Sequence, residues 1–332
     1  DIIPSDFARE LSRLQDDDEA MPFEDFRARL EDLWPGGIEA NLEWLDPEPL
    51  GVASIAQVHR ARLIGGREVV IKLQRPNLVE IIRADLDLLY LIARLLDATV
   101  EEMVLYRPVE VVRTFENALL DELDFTIEAR NAKIIGANFA DDERIFVPAI
   151  HDALSCRELM VMDFALGVKI TEIEGERVEP VLRTVLDIAF RMAFQHGVFH
   201  ADPHPGNVLV MPDDRVCVID FGLVGHITGN MQQTLIQLAM AVATRDADAT
   251  TRLIYRLGRP MGRVPLGELR ATIEELMNKY LVRSLDQVDA TSLINELTDV
   301  AIRYRIRVPP DYALLGKAGA TLEGIIRQLA PE

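Results

Sequence analysis

The amino-acid sequence predicts an α+β chain of two lobes, and three features of its pattern carry that expectation. From Leu50 to Arg75 apolar and polar residues alternate with a period of two on either side of Gly65-Gly66, as paired strands do. From residue 77 to 138, and again from 178 to the end, the apolar positions recur every three or four residues, as in amphipathic helices. One stretch interrupts the second helical region: residues 198 to 222, VFHADPHPGNVLVMPDDRVCVIDFG, read as a loop, a short hairpin and another loop. The expected parts are a helical extension over 1–46, a strand-bearing lobe with a helical insertion over 47–165, and a mostly helical lobe over 166–332.

Residues 1 to 46 read as helical and polar, with Phe7, Leu11 and Leu14, then Phe23, Phe26 and Leu30, on spacings of three and four. Asp16, Asp17 and Asp18 suit a solvated turn between helices. The first strand is expected from Leu50, and GVASIAQV within it follows a phosphate-loop frame, G-x-G-x-x-G-x-V. Gly51 holds the first glycine's place, Ala53 and Ala56 the second and third, and Val58 the valine. Alanine disfavours positive φ and keeps a ligand farther from the backbone. Gly51, Val52, Ala53, Ser54, Ile55, Ala56 and Val58 are therefore candidate nucleotide contacts in a loop that covers phosphates differently. Lys72 closes the next strand, VVIK, where such a lysine meets the α and β phosphates.

Helices fill residues 77 to 138, one of them opened by Pro108. A lysine in that position needs a glutamate to hold it, and seven glutamates lie between Glu80 and Glu128. Periodicity does not choose among them, although Glu122, Asp124 and Glu128 stand out in ELDFTIEARN. Residues 144 to 165 read as two strands with a turn at 152–157, and the segment Asp163 to Gly167 reads as a hinge whose backbone would hold adenine. Helices are then expected at 178–197, 230–258, 266–283, 290–304 and 311–329.

Composition bounds the function. The net charge of −20, from 35 basic and 55 acidic residues, argues against a nucleic-acid partner and supports no polybasic membrane patch. Cys156 and Cys217 make no disulfide framework and suit a reducing compartment. No apolar run reaches membrane-spanning length. The chain begins with Asp1, which fits a trimmed sequence.

The chemistry gathers in residues 198 to 222. Phosphoryl transfer needs a carboxylate to position an acceptor hydroxyl and metal ions to bridge phosphate oxygens. Asp202 suits the first task; Asn207 and Asp220 suit the second, since magnesium takes hard oxygen ligands and only one or two from protein. HADPHPGN keeps the His, Asp and Asn of H-R-D-L-x-x-x-N, and DFG follows intact. A zinc reading of His200, Asp202 and His204 lacks a fourth ligand.

Together, VASIAQVHRA, VVIKLQRP, ELDFTIEARN, HADPHPGN, DFG and VPPDYALLGKAGATLEG resemble the UbiB-type atypical kinases, a family associated with ubiquinone and other isoprenoid-lipid metabolism. The resemblance implies a two-lobed protein kinase-like fold and magnesium ATP as ligand. It implies that Lys72 pairs with Glu128, that Asp202 is the catalytic aspartate, and that Asn207 and Asp220 hold magnesium. Glu122 and Asp124 correspond to the family's ExD motif. That motif accompanies an N-terminal KxGQ helix, which is missing here although DIIPSDFARELSRLQD resembles the sequence that follows it. The family's C-terminal membrane helices are missing too. By resemblance, the intact protein sits on the cytoplasmic side of a bacterial membrane through flanking segments, while this stretch is soluble. An isoprenoid lipid or quinone precursor and quinone-biosynthesis proteins are the implied partners.

Three other activities compete. A small-molecule phosphotransferase of the aminoglycoside or choline type shares the H-x-D-x-H-P-G-N loop and a short segment after DFG. A nucleotide sensor would bind ATP without transfer, and the intact Asp202 weighs against it. A kinase acting on proteins would need the A-P-E segment that is absent here.

Overall fold

The computed structural model describes residues 20–99, 108–280 and 290–330. The expected helix around Phe7, Leu11 and Leu14, the Asp16–Asp18 turn, and the C-terminal end of the 266–283 helix lie outside them. The chain divides into two compact units, Asp1–Ile134 with Pro148–Ala165, and Ile135–Val147 with Leu166–Glu332.

In the first unit, α1 (Phe23–Leu33) starts where the Pro22 carbonyl accepts from the amides of Asp25 and Phe26. Phe26 and Leu30, one turn apart, bury its inner side. An antiparallel sheet follows in the order β1 (Leu42–Val52), β2 (Ala56–Leu63), β3 (Glu68–Gln74), β5 (Leu159–Asp163). Gly65 and Gly66, at φ 99° and 85°, make the turn between β2 and β3, a conformation that side-chain-bearing residues avoid. Alternation sorts the strands into two faces. Ala61, Val69, Ile71, Leu73 and Val161 pack against Phe26, Leu30 and Trp34. Ala56, Val70, Met160 and Met162 pack with Phe125 and Ala129 on the other face.

The β1 strand corrects the expectation that residues 1–46 are helical, since it begins at Leu42 rather than Leu50. It is an edge strand with Pro47 and Pro49 in it and three irregularities in its register with β2. Edge strands tolerate proline because half their backbone amides need no ladder partner. Only Leu42 of β1 is buried, so the strand shows no two-residue alternation to read.

Helices α2 (Leu78–Thr99), α3 (Pro108–Glu122) and α4 (Phe125–Asn138) fill the insertion. Tyr90 of α2 donates to Glu116 of α3 at 2.6 Å.

In the second unit, β6 (Val168–Lys169), β8 (Val208–Val210), β9 (Val216–Val218) and β4 (Ile145–Phe146) form a small sheet, with β4 parallel to β9 and the other pairs antiparallel. Residues 135–147 join this unit for a visible reason. Arg144 bonds both Asp142 and Asp187 at 2.7 Å, Arg191 also reaches Asp142, and Arg191 lies over the Phe139 ring. Asp187 and Arg191 belong to α5 (Val178–Arg191), so α5 holds the segment. These guanidinium groups, Arg144 first, keep the Asp142 carboxyl far below its ordinary range.

After α5 a π-turn, Met192–His196, ends at Gly197, where φ is 68° and an added Cβ would stand 2.7 Å from the Ile227 carbonyl. The expected 230–258 helix is two: α6 (Gly229–Ala243) and α7 (Ala247–Leu257). Arg245 takes φ 57° between them, and Asp246 caps α7 by accepting from the Ala249 amide at 2.8 Å. Helices α8 (Leu266–Tyr280), α9 (Ala290–Arg303) and α10 (Pro310–Leu329) follow. Leu269, Ile273, Met277, Val300 and Ala301 form much of their core.

Candidate functional site

In the sheet unit the site grows from strand parity. Val70, Lys72 and Gln74 of β3 share the face opposite Ile71 and Leu73, and there Lys72 meets α4. Its ammonium donates to Glu128 Oε1 at 3.0 Å and Oε2 at 2.7 Å, and lies 5.1 Å from the Phe125 ring. The side chains are 18% and 5% exposed. A lysine among apolar strand residues is costly unless paired, and Glu128 supplies the pairing.

The approach of Glu128 is set by ELDF. Leu123 and Phe125 are buried, and Gln74 Nε2 donates to the Leu123 carbonyl at 3.1 Å, tying the segment to β3. Asp124 caps α4: its Oδ1 accepts from the Thr126 amide at 3.0 Å and from the Thr126 hydroxyl. Arg157 stands 3.7 Å from its other oxygen. Within this unit Asp124 therefore positions the helix that carries Glu128. Glu122, by contrast, is exposed at the end of α3.

The alanine loop is fastened. The Ala53 amide donates to the Ala56 carbonyl, while Arg75 donates its backbone N–H to Ile55 O and its Nε to Ala53 O, both at 2.9 Å. None of residues 51 to 56 takes a positive φ, so alanine fits this backbone without strain. Gly51 and Val52 still belong to β1, opposite Val58 and Gln57. Ser54 and Ile55 form the bend before β2. Asp163 ends β5 with its carboxylate engaged: His151 Nε2 lies 2.9 Å away and Arg67 Nη1 3.7 Å away.

Two buried polar residues escaped the sequence reading. Gln57 Oε1 accepts from the Met21 amide at 2.7 Å, and its Nε2 lies 3.1 Å from the Met21 carbonyl and 2.8 Å from His59 Nε2. His59 Nδ1 donates to the Asp46 carbonyl at 2.7 Å, so its Nε2 accepts from Gln57. Burial pushes this imidazole below its ordinary pKa. The Q-V-H of the motif thus latches α1 and β1 to β2. The available signal was two polar residues one period apart on the strand face that continues with Ala61 and Leu63.

In the second unit, the short pair β7 (Val198–His200) and β10 (Val224–His226) brings two loops together. The Ala201 amide donates to the Leu223 carbonyl at 2.9 Å, so residues 201–207 and 220–222 leave one ladder side by side. Gly225 is needed there, since a Cβ would stand 2.2 Å from the Phe199 ring. The Asp202 amide donates to His200 Nδ1 at 3.1 Å, which leaves the proton of a neutral imidazole on Nε2. Burial pushes His200 below its ordinary pKa, against the smaller opposing effects of Asp220 and Asp202. Asn207 Nδ2 donates to the Asp202 carbonyl at 3.3 Å, and the Asn207 carbonyl accepts from Ile219 at 3.1 Å. That last bond closes the β8–β9 hairpin and sets Asn207 beside the residue before Asp220.

The donor set suits a hard cation. Asn207 uses its amide nitrogen on the Asp202 carbonyl, and among the described residues its Oδ1 has no hydrogen bond. Asp220 uses Oδ1 on the Gly222 amide at 2.8 Å and retains Oδ2. Two oxygen ligands match what magnesium takes from protein. Among the described residues, no group of three or more His, Cys, Asp or Glu side chains is close enough to hold a metal, so His200, Asp202 and His204 do not form one.

Lys317 is the other residue that sequence reasoning passed over. It projects from α10 to within 3.5 Å of Asp202 Oδ1, with the two side chains 54% and 42% exposed. An exposed ion pair contributes about 0–1 kcal/mol to stability, so its interest lies in placing a cation at that carboxylate. No local pattern links positions so far apart in sequence.

Residues 13–254 match the model of the ABC1 atypical kinase-like domain, and residues 273–332 match the UbiB helical domain. Among individual proteins, one of Pseudomonas paraeruginosa named probable protein kinase UbiB is 32% identical over all of this chain and 64% of its own length. A Clostridium pasteurianum protein, known as an uncharacterized protein in the hydrogenase 1 5′ region, is 31% identical over all of this chain and 63% of its own. The chain thus spans just under two thirds of these relatives. A solved structure, the Rv3197–erythromycin complex from Mycobacterium tuberculosis, superposes with a TM-score of 0.67 at 22% identity, covering 98% of this chain and 84% of that one, a likeness of fold.

Proposed function

Because this chain belongs to the ABC1 atypical kinase-like family, we propose that it binds magnesium ATP and transfers the terminal phosphoryl group to water or to a small or lipidic acceptor. The observation that carries this reading is the Lys72–Glu128 pair. A buried ion pair adds little to stability over an apolar pair of the same shape, so it is weak evidence of a structural role. A lysine held by a helix glutamate is what phosphate oxygens require in kinase-type transfer.

The residues divide the work. Lys72 donates to phosphate oxygens, and Glu128 holds its ammonium in place. Asn207 Oδ1 and Asp220 Oδ2 would hold magnesium, which supplies charge neutralisation at the phosphates. Asp202 orients the acceptor hydroxyl and takes its proton. Lys317 restrains the Asp202 carboxylate and offers positive charge to an anionic acceptor or product. Only Leu223–Thr228 separate Gly222 from α6, too short a run to dock a peptide, and this supports a small acceptor over a protein one. A role in isoprenoid-quinone metabolism is carried by the resemblance of the motifs alone.

The test is the thermal midpoint titrated with ATP and ADP, with and without magnesium. Binding to the native state stabilises it by about 2.7 kcal/mol at a hundredfold excess over Kd. A magnesium-dependent rise that Asp220→Asn abolishes is expected, followed by release of labelled phosphate that Asp202→Asn abolishes. A folded sample with no rise at millimolar ATP sinks the proposal. A rise with no phosphate release or transfer favours the sensor reading.

A further inference from the structure

The helical insertion leaves one face without a partner. On α2, Leu86 and Ala93 are buried, while Ile81, Ala84, Leu88, Leu91, Leu95 and Ala98 are all exposed. The four large ones are 55–57% exposed. Scattered apolar residues on a surface need no explanation. These six are not scattered. They follow one another at intervals of three, four, three, four and three, the a and d positions of a coiled-coil seam. A face of this kind in water is an association surface or a liability.

We infer that this face pairs with the same face of a second copy of the chain, α2 against α2 in antiparallel orientation. The charges beside the seam choose both the partner and the direction. Glu80, Asp87 and Arg94 each precede an a-position residue and flank the stripe. Among the described residues, neither Asp87 nor Arg94 has an ion-pair partner within its own chain. In an antiparallel pair centred between Leu89 and Tyr90, Leu88 meets the partner's Leu91, Ala84 meets the partner's Leu95, and Ile81 meets the partner's Ala98. Large residues oppose small ones at both ends, which lets the helices approach closely. Asp87 then lies beside the partner's Arg94, and two-fold symmetry repeats the contact. A parallel pair in register would set Glu80 against the partner's Asp85 and gain no opposite-charge contact in return. The seam runs about 26 Å at 1.5 Å per residue.

A membrane surface fits the face less well. Interfacial helices carry basic residues beside their apolar side, whereas the charges of α2 are Glu80, Asp85, Asp87 and Asp97 against Arg83 and Arg94. Among the described residues no helix is long and apolar enough to cross a bilayer. The inference is independent of nucleotide chemistry.

Sedimentation equilibrium over a concentration series tests it. The chain is expected to dimerise, and Leu88→Glu or Leu91→Glu to weaken the dimer about tenfold or more, as central apolar contacts do. Circular dichroism of these variants stays native because the residues are exposed. The register has its own readout: Asp87→Arg and Arg94→Asp each weaken the dimer, and the double exchange restores it. A chain monomeric at every concentration overturns the inference, as does a dimer indifferent to Leu88→Glu. A double exchange no better than its singles overturns the antiparallel register. Binding to zwitterionic or anionic vesicles that Leu88→Glu abolishes, in a monomeric chain, assigns the face to lipid instead.

Discussion

The two units hold their polar residues in opposite ways. In the sheet unit the charged pair is internal: Lys72 and Glu128 satisfy each other, and Gln57, His59, Gln74 and Asp124 complete their own bonds within the unit. In the second unit Asp202, Asn207 and Asp220 are half-buried, and among the described residues each keeps an oxygen without a hydrogen bond, apart from the reach of Lys317 to Asp202. The first arrangement is held by bonds within its own unit. On the proposed function, the second receives cations and hydroxyls from outside, so substitutions should damage folding in one unit and chemistry in the other.

Glu128→Ala breaks that contrast hardest. It strands a largely buried ammonium and is expected to cost about 3 kcal/mol in urea unfolding; Asp220→Asn is expected to shift the same curve by about 0.5 kcal/mol or less. Equal losses would mean that the second set is structural as well. Lys317→Ala comes next, lowering turnover about a hundredfold by loss of a cation at the reacting groups. The apparent KM for ATP should hold and Lys317→Arg should recover part of the rate; a parallel change in KM would mark Lys317 as a nucleotide contact instead.

Gln57→Leu leaves the Met21 amide and carbonyl without their partner, a cost of about 2 kcal/mol. Asp124→Ala removes a helix cap and costs about 1 kcal/mol. If it also slows the proposed turnover beyond what the lost stability explains, Asp124 positions Glu128 for that chemistry; if not, Asp124 is a cap and nothing more.

The smallest effect is a pH slope. Burial holds His59 and His200 below their ordinary value of 6.5, so the unfolded chain takes up protons that the folded chain resists. Their contribution to stability is complete above about pH 6.5 and is lost as pH falls through the lowered folded values. Thermal midpoints measured from pH 8 to pH 5.5 should decline on the acid side. A flat profile would mean that both imidazoles are solvated.

Much of this was legible because it is local. Gly65-Gly66 announces its turn, Pro108 opens its helix, and the run from His200 to Gly222 carries its candidate ligands on two loops joined by one hairpin. Lys72 was legible as a lysine closing an apolar strand, but its partner was not, since seven glutamates lie in sequence from Glu80 to Glu128 and only the resemblance of ELDFTIE singled out Glu128. The β1 strand hid because an exposed edge containing Pro47 and Pro49 has no buried face to print a period of two. The break at Arg245 hid because the apolar spacing continues through it, although Asp246 was an available cap. Gln57 and His59 hid because their partners at Met21 and Asp46 are backbone groups, which every residue has.

The fastening of residues 51–56 by Arg75 has a consequence for recognition. A glycine loop closes around what it binds and can adjust to several shapes, losing freedom as it does so. Here the bonds to the Ala53 and Ile55 carbonyls have already removed that freedom. Whatever meets this loop meets a contour of set form, so discrimination there falls to fit rather than to closure, and a molecule of the wrong outline is refused at contact.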